Sequence, residues 1–246
     1  MKFRHLSSVK VVSVSLALIL ALSLSIVYAT SADDLATYRV TILNLSYGQP
    51  LSPPVAATHS PKVSLFNLGR AASPQLEALA EDGDQIQLYD LLSDSQHVTE
   101  AVNVGVPLTP REQVVGDFTD SVTFEISARP GDRLSLATML ICTNDGFGGL
   151  NRVRLPNAVQ RVFPLYAYDA GSEDNTEMSQ DIVDPCSALG PLPLAGDPNG
   201  NEDANVDTAP HRRIQLHRGI EGTGDLSASD HGWLGPVGVV IVKRID

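Results

Sequence analysis

Basic residues are scarce in this chain of 246 residues. Lys and Arg together number 17 against 29 Asp and Glu, and the formal net charge is −12. A surface of this sign repels the phosphates of nucleic acids, and the sequence has no basic cluster that could hold them. The composition therefore argues against a nucleic-acid partner. It suits cation binding or a plain solvated acidic surface.

Common catalytic signatures are also missing. The sequence contains no G-x-S-x-G nucleophile elbow, no P-loop and no Rossmann glycine fingerprint. None of the histidines forms a metal-spaced pair on a helix. His211 and His217 fall on one predicted strand and share a face of it, where solvent exposure is the ordinary interpretation and a zinc site is the alternative. These absences favour a protein that is not an enzyme.

The sequence contains one long apolar run, which lies near the start of the chain. Lys2, Arg4 and Lys10 precede Val11–Val27, which carries no charge, and small residues end the segment at Ala29. This order predicts a secretory signal peptide over residues 1–29. An uncleaved membrane anchor is the alternative, since 17 residues is at the short edge for crossing a bilayer.

Export leaves a single predicted domain over residues 30–246. Loss of the basic leader makes this mature chain still more acidic. Because no second long apolar run follows, we expect no stable membrane insertion after the leader is removed. The expected location is secreted, periplasmic or at the cell surface.

Cysteine is nearly absent, with only Cys142 and Cys186 in the chain. An exported pair meets an oxidising compartment, where it usually forms a disulfide. The bridge would close a loop of about 45 residues, for which chain entropy predicts roughly 4 kcal/mol of stabilisation. A catalytic cysteine is the alternative, and it would need a histidine at hydrogen-bond distance.

Short strands separated by Gly and Pro turns dominate the mature chain. Tyr38, Val40 and Ile42 alternate with polar residues, as do the apolar residues of 121–128, whereas 134–141 is apolar on both faces. A short helix is predicted over 73–81, with Ser73 as its N-cap. This pattern predicts an all-β fold, an antiparallel β-sandwich with one short helix.

Carboxylates gather at the ends of two apolar runs. Asp145 follows the run that ends at Cys142, and a second run is followed by Asp169, Glu173 and Asp174, with glycines beside both groups. Like charges on neighbouring loops repel unless a cation neutralises them, and oxygen ligands suit Ca²⁺. From the residues alone, the alternative interpretation is that these carboxylates belong to two solvated turns without a cation, since aspartate is common in turns.

The motifs around these carboxylates carry a resemblance to a known family. Over roughly Tyr38 to Ile245 the chain resembles the spondin domain family, in its single-domain bacterial exported form. Tyr168-Asp169-Ala170-Gly171-Ser172-Glu173 is similar to the family's Trp-Asp-Ala-Gly-Thr-Asp. Matching elements also occur at residues 69–73, before the short helix, at 144–148, and in the last strand at 239–245.

The resemblance implies a C2-like antiparallel β-sandwich with Ca²⁺ bound by loop carboxylates. Carried over position by position, the ligands are Asp145, Asp169 and Glu173. Glu173 stands where the family has Asp, and Asp174 beside it is a further candidate ligand. The disulfide between Cys142 and Cys186 would anchor the loop that carries Asp145.

The expected function is that of an exported, calcium-binding, non-enzymatic domain with an adhesion-like role. Its expected partner is an extracellular or cell-surface protein or glycan. One alternative is a metal-dependent extracellular hydrolase, which needs a positioned base, and no histidine lies near the aspartates in the sequence. Another is a purely structural domain in which calcium only rigidifies the loops.

Overall fold

The computed structural model describes residues 35–183, 185–190 and 213–246, and Leu35–Asp246 forms one compact unit. The predicted signal peptide over residues 1–29 and His211 lie outside the described residues. Within the described ranges, no helix combines the length and the apolar character needed to cross a membrane.

Strands make up most of the regular structure. A single-turn 3₁₀ helix covers Ser179–Asp181. The helices are α1 (Pro74–Asp82), α2 (Gln85–Ser93), α3 (Pro185–Leu189) and α4 (Ala228–His231). The strands are β1 (Ala36–Asn44), β2 (Val55–His59), β3 (Val98–Asn103), β4 (Val114–Val115), β5 (Phe118–Thr119), β6 (Ser121–Ala128), β7 (Arg133–Met139), β8 (Gly146–Arg154), β9 (Arg161–Asp169), β10 (Gln215–Leu216) and β11 (Gly238–Arg244).

Nine of these strands form one antiparallel sheet that curls until its ends nearly meet. The order is β3-β2-β7-β8-β9-β11-β1-β6, and β10 is added beside β9, while β4 and β5 form a separate hairpin. At the seam, Ser127 of β6 donates its N–H to the Glu100 carboxylate of β3 (2.6 Å), and its carbonyl accepts from the Thr58 hydroxyl of β2 (2.5 Å). The all-β antiparallel prediction is confirmed. The two layers expected of a sandwich are opposite walls of one nearly closed barrel.

The interior of the barrel is filled by alternating side chains. In β1, Tyr38, Val40 and Ile42 are buried, as predicted, and the strand pairs with β11 on one side and β6 on the other. Their buried neighbours include Leu136 of β7 and Leu165 of β9. Polar residues at the alternate positions face outward, as the period of two requires.

A helical layer covers the outer face of β2, β7 and β8. Ser73 caps α1 by accepting the Leu76 N–H (3.3 Å), and Pro74 occupies the first turn, so the predicted helix is confirmed. Leu76 and Leu79 pack on a second apolar cluster that includes Ala137 of β7. β7 is thus buried on both faces, as its sequence predicts. The second helix, α2, is an addition that the sequence analysis missed.

Candidate metal site and the adjoining pocket

Asp145 and Asp169 are brought together by the β8–β9 ladder. Gly146, at the start of β8, pairs with Asp169 at the end of β9. The Ala170 N–H donates to the Asp145 carbonyl (3.1 Å), which joins the two loops just beyond the ladder. Both aspartates are buried, at 0% and 3% exposure. The neighbouring carboxylates predicted from the sequence therefore do lie side by side.

The turn after β9 wraps around the carboxylate of Asp145. Its Oδ2 accepts the N–H groups of Ser172 (2.8 Å) and Glu173 (3.2 Å). Gly171 has a φ of 75°, in the left-handed region, and a side chain there would come within 2.4 Å of the Arg213 backbone N. Glycine is therefore required at this position, because it permits both the turn and the close approach of a second chain segment.

The environment of Asp145 disfavours the ionised form of its carboxylate. Burial, and to a smaller extent the charge of Asp169, raise the pKa of Asp145 to about 7, and the backbone N–H groups around its carboxylate only partly offset this increase. The other oxygen, Oδ1, is buried and finds no hydrogen-bond partner in the described part of the chain. A negative charge here is under-compensated, and a cation or a proton would stabilise it.

The four predicted ligands are not all gathered at one point. Glu173 is buried and meets Asp145 through its backbone N–H. Asp174 is half-buried, and its carbonyl accepts the Thr176 N–H (2.8 Å). Within residues 35–183, 185–190 and 213–246, no group of three or more His, Cys, Asp or Glu side chains is placed to hold a metal ion. The paired carboxylates of Asp145 and Asp169 are the part of the predicted site that has formed.

A disulfide joins Cys142 to Cys186, with 5.0 Å between their Cα atoms, as the sequence predicts. Both cysteines are buried and bonded, which removes the alternative of a catalytic thiol. The Asn144 side chain donates to Thr176 Oγ1 (3.3 Å) and the Asp181 carbonyl (3.4 Å). The segment that leads to Cys186 is thus held against the turn that bears Asp145.

Asp169 also faces a polar pocket of about 300 Å³. Its Oδ2 accepts the side-chain amides of Asn175 (2.9 Å) and Gln215 (3.2 Å). The second contact follows from the β9–β10 ladder, in which Gln215 pairs directly with Asp169. The pocket wall is completed by residues that include His217, Arg218 and Glu221.

His217 is the pocket residue that the sequence analysis placed wrongly. Its Nε2 is buried rather than solvent-facing, and its ring meets Trp233 edge-on, with 5.1 Å between centroids. The sequence offered no histidine near the aspartates, yet His217 lines the same pocket as Asp169. No local spacing could reveal this, because the two residues meet only through the pairing of β10 with β9.

Glu177 fixes the loop that forms the far side of the pocket. Its carboxylate accepts the backbone N–H groups of Glu221 (2.6 Å), Gly222 (2.7 Å) and Thr223 (2.7 Å). Burial alone would raise the pKa of Glu177, but these hydrogen bonds outweigh it and hold the pKa below its ordinary value. Glu177 is therefore ionised at neutral pH and is already fully engaged in holding the loop.

Replacing Glu177 with alanine is expected to destabilise the protein by about 2 kcal/mol, because several backbone donors lose a charged acceptor. Amide hydrogen exchange at residues 221–223 should accelerate in the same variant. Glu112→Ala is the matched control, since both glutamates have a positive φ (54° at Glu177 and 61° at Glu112) but the carboxylate of Glu112 is exposed. Equal losses of stability in the two variants would show that the backbone conformation, and not the carboxylate, matters.

Comparison with known protein families identifies a related family. The Spondin_N family model matches residues 46–186 of this chain, which is more than half of its length. The matched range contains Asp145, Asp169, Glu173 and both cysteines, whereas His217 lies beyond it. No curated protein sequence matches the chain.

Proposed function

We propose that this chain, which belongs to the Spondin_N family, binds Ca²⁺ at Asp145 and Asp169 and acts as a non-enzymatic binding domain. The family is one of extracellular domains, and the disulfide fits an oxidising compartment. The proposed role is adhesion-like, with a surface protein or glycan as the partner.

The observation that carries the calcium proposal is the buried pair of carboxylates. Asp145 pays a large desolvation cost beside the charge of Asp169, and its Oδ1 has no hydrogen bond from the described residues. A bound Ca²⁺ would supply the missing positive charge. Asp145 Oδ1 and the Asp169 carboxylate would hold it, and the amide oxygens of Asn175 and Gln215 lie close enough to Asp169 to contribute after a rotation of the amide.

The hydrogen bonding of His217 favours binding over catalysis. Its Nδ1 accepts the Gly219 N–H (3.1 Å), and a backbone N–H can only donate. In the neutral ring the proton therefore sits on Nε2. A general base must present an unprotonated nitrogen to its substrate, and neither nitrogen of His217 is available for that purpose.

Calcium is expected to raise the melting temperature of the protein, and chelator should lower it again. Binding to the folded state alone stabilises by about 2.7 kcal/mol when free Ca²⁺ is a hundredfold above its Kd. Asp169→Ala should remove most of this response because it deletes one of the two carboxylates. Differential scanning calorimetry with and without Ca²⁺ measures both effects.

Asp117→Ala is the control for that experiment, because Asp117 is an exposed carboxylate between β4 and β5. It removes the same charge far from the site in sequence and should leave the calcium response intact. Failure to detect Ca²⁺ binding at millimolar concentration by titration calorimetry would refute the calcium site, as would a full response in Asp169→Ala.

A further inference from the structure

The proposed calcium site borders the polar pocket on one side. Asp169, Asn175 and Gln215 line the pocket, whereas Asp145 is fully buried next to Asp169. An ion held by these four residues would therefore have Asp145 behind it and a recess of about 300 Å³ in front of it. Any oxygen atom that completes the coordination of the ion from outside the protein has to enter through this pocket.

The described residues leave the coordination of the ion incomplete. Asp145 can offer only Oδ1, because two backbone N–H groups already donate to its Oδ2. The carboxylate of Asp169 can supply two oxygens, and the amides of Asn175 and Gln215 can supply one each, which makes about five at most. Ca²⁺ takes about six to eight oxygen ligands, so about one to three positions remain for water or for a ligand.

The bound ion also changes which ligands the pocket accepts. Its two positive charges balance the carboxylates of Asp145 and Asp169. The carboxylate of Glu177 is held by three backbone N–H groups, and Arg218 and Glu221 in the pocket wall carry opposite charges. With Ca²⁺ in place, the charges around the pocket are therefore nearly balanced and do not exclude an anion. In chelator the two aspartates are no longer compensated, and an anion is repelled.

We infer that the pocket binds a carboxylate group of its ligand through the bound Ca²⁺. A carboxylate oxygen carries a negative charge that a water oxygen lacks, and it is a preferred ligand of this ion. Acidic peptides and acidic sugars both present this group. The pocket is far larger than one water molecule and lies at the lower end of the range of small-ligand pockets. The inference rests on the proposed calcium site and names the chemical class of its ligand.

The first test counts the water molecules bound to the ion. Eu³⁺ takes the same kind of oxygen ligands as Ca²⁺, and its luminescence lifetimes in H₂O and D₂O give the number of bound waters. With the protein in excess of Eu³⁺, about one to three bound waters are expected, and an excess of Ca²⁺ should release the Eu³⁺. A count of zero overturns the inference and leaves the calcium site standing. Failure of both ions to bind would instead overturn the calcium proposal.

The second test adds ligands to the Eu³⁺-loaded protein in pairs that differ in charge. The pairs are acetyl-Gly-Asp-Gly-amide with acetyl-Gly-Asn-Gly-amide, and glucuronate with glucose, each at tens of millimolar. At least one carboxylate is expected to displace about one or two waters, and its neutral counterpart should displace none. The pair that responds shows whether the ligand is a peptide or a sugar. An unchanged water count with both carboxylates, or equal displacement by a neutral counterpart, overturns the inference.

Two variants of the pocket wall test the same inference with opposite signs. On ion-saturated protein, Arg218→Gln should weaken carboxylate binding about twofold to fivefold, and Glu221→Gln should strengthen it by a similar factor. Both side chains are exposed, and the backbone N–H that Glu221 donates to Glu177 is kept. The water count before ligand is added should match the wild type in both variants. Carboxylate affinity that is unchanged in both, or that shifts in the same direction in both, would place the ligand outside this pocket.

Discussion

Replacing Asp145 with asparagine is expected to stabilise the metal-free protein, by little at pH 4 and by up to about 4 kcal/mol at pH 8. The pKa of Asp145 is raised from 3.8 to about 7, mainly by burial and then by Asp169. The folded state therefore holds this proton more tightly than the unfolded state. Its contribution to stability is fully present below pH 3.8 and is lost as the pH rises through about 7.

Asparagine keeps the size of the side chain and an oxygen for the N–H groups of Ser172 and Glu173, but it carries no charge. Urea unfolding of both proteins from pH 4 to pH 8 measures the difference at each pH. Burial also lowers the pKa values of His59, His217 and His231, which gives a slope of opposite sign near pH 6. That slope is common to both proteins and cancels in the difference.

Calcium should reverse the ranking of the two proteins. The ion needs the ionised carboxylate of Asp145, so the wild-type protein gains stability from Ca²⁺ at pH 8 and Asp145→Asn gains little. Asp117→Asn, on an exposed turn, should match the wild type throughout. A difference between wild type and Asp145→Asn that does not change with pH would show that Asp145 titrates normally.

Removing the disulfide is expected to lower the free energy of unfolding by about 4 kcal/mol. Cys142 and Cys186 are 44 residues apart, and a bridge over that distance greatly restricts the unfolded chain. The double variant Cys142→Ala with Cys186→Ala should therefore unfold at a much lower urea concentration. Loss of the bridge should also loosen the 176–186 segment and weaken the response to Ca²⁺.

Reductant supplies the control for this experiment. It should shift the wild-type transition to that of the double variant and leave the double variant itself unchanged. Two thiols that titrate freely in the folded, unreduced wild-type protein would contradict the bridge. A wild-type transition that does not move after reductant has freed both thiols would contradict the expected stabilisation by the bridge.

Periodicity was sufficient to predict the individual strands. The alternation of Tyr38, Val40 and Ile42 and the two-sided apolar run of β7 each correspond to the burial observed. Periodicity records which face of a strand is buried, but it carries no information on which distant strand lies beside it. The order of the sheet and its closure into a barrel therefore had to come from the structure.

The missed elements had weaker signals. α2 is capped by Asp84, whose carboxylate accepts the Ile86 N–H (3.0 Å), and its buried residues Leu88 and Leu92 are spaced by about one helical turn. That signal was present but short, and it directly follows α1. The two-residue strands β4 and β5 have too few residues to show any alternation.

In the candidate site too, some residues could be predicted from the sequence and others could be found only in the structure. Asp145 and Asp169 were predicted from motifs adjacent to strands, and the β8–β9 ladder places them together. Glu173 reaches the site through its backbone, which no side-chain pattern can reveal. His217 and Glu177 meet the rest of the pocket through contacts with segments that are distant in sequence. Such contacts cannot be read from the pattern of a single sequence.

The seam of the barrel has a consequence for how the protein behaves among copies of itself. An open sheet edge offers free N–H and C=O groups to the strand of another molecule, and edge-to-edge pairing of this kind leads to aggregation. At the seam, Glu100 and Thr58 occupy both backbone groups of Ser127. An incoming strand therefore finds no free donor or acceptor at this residue, and the edge is interrupted as a template for polymerisation.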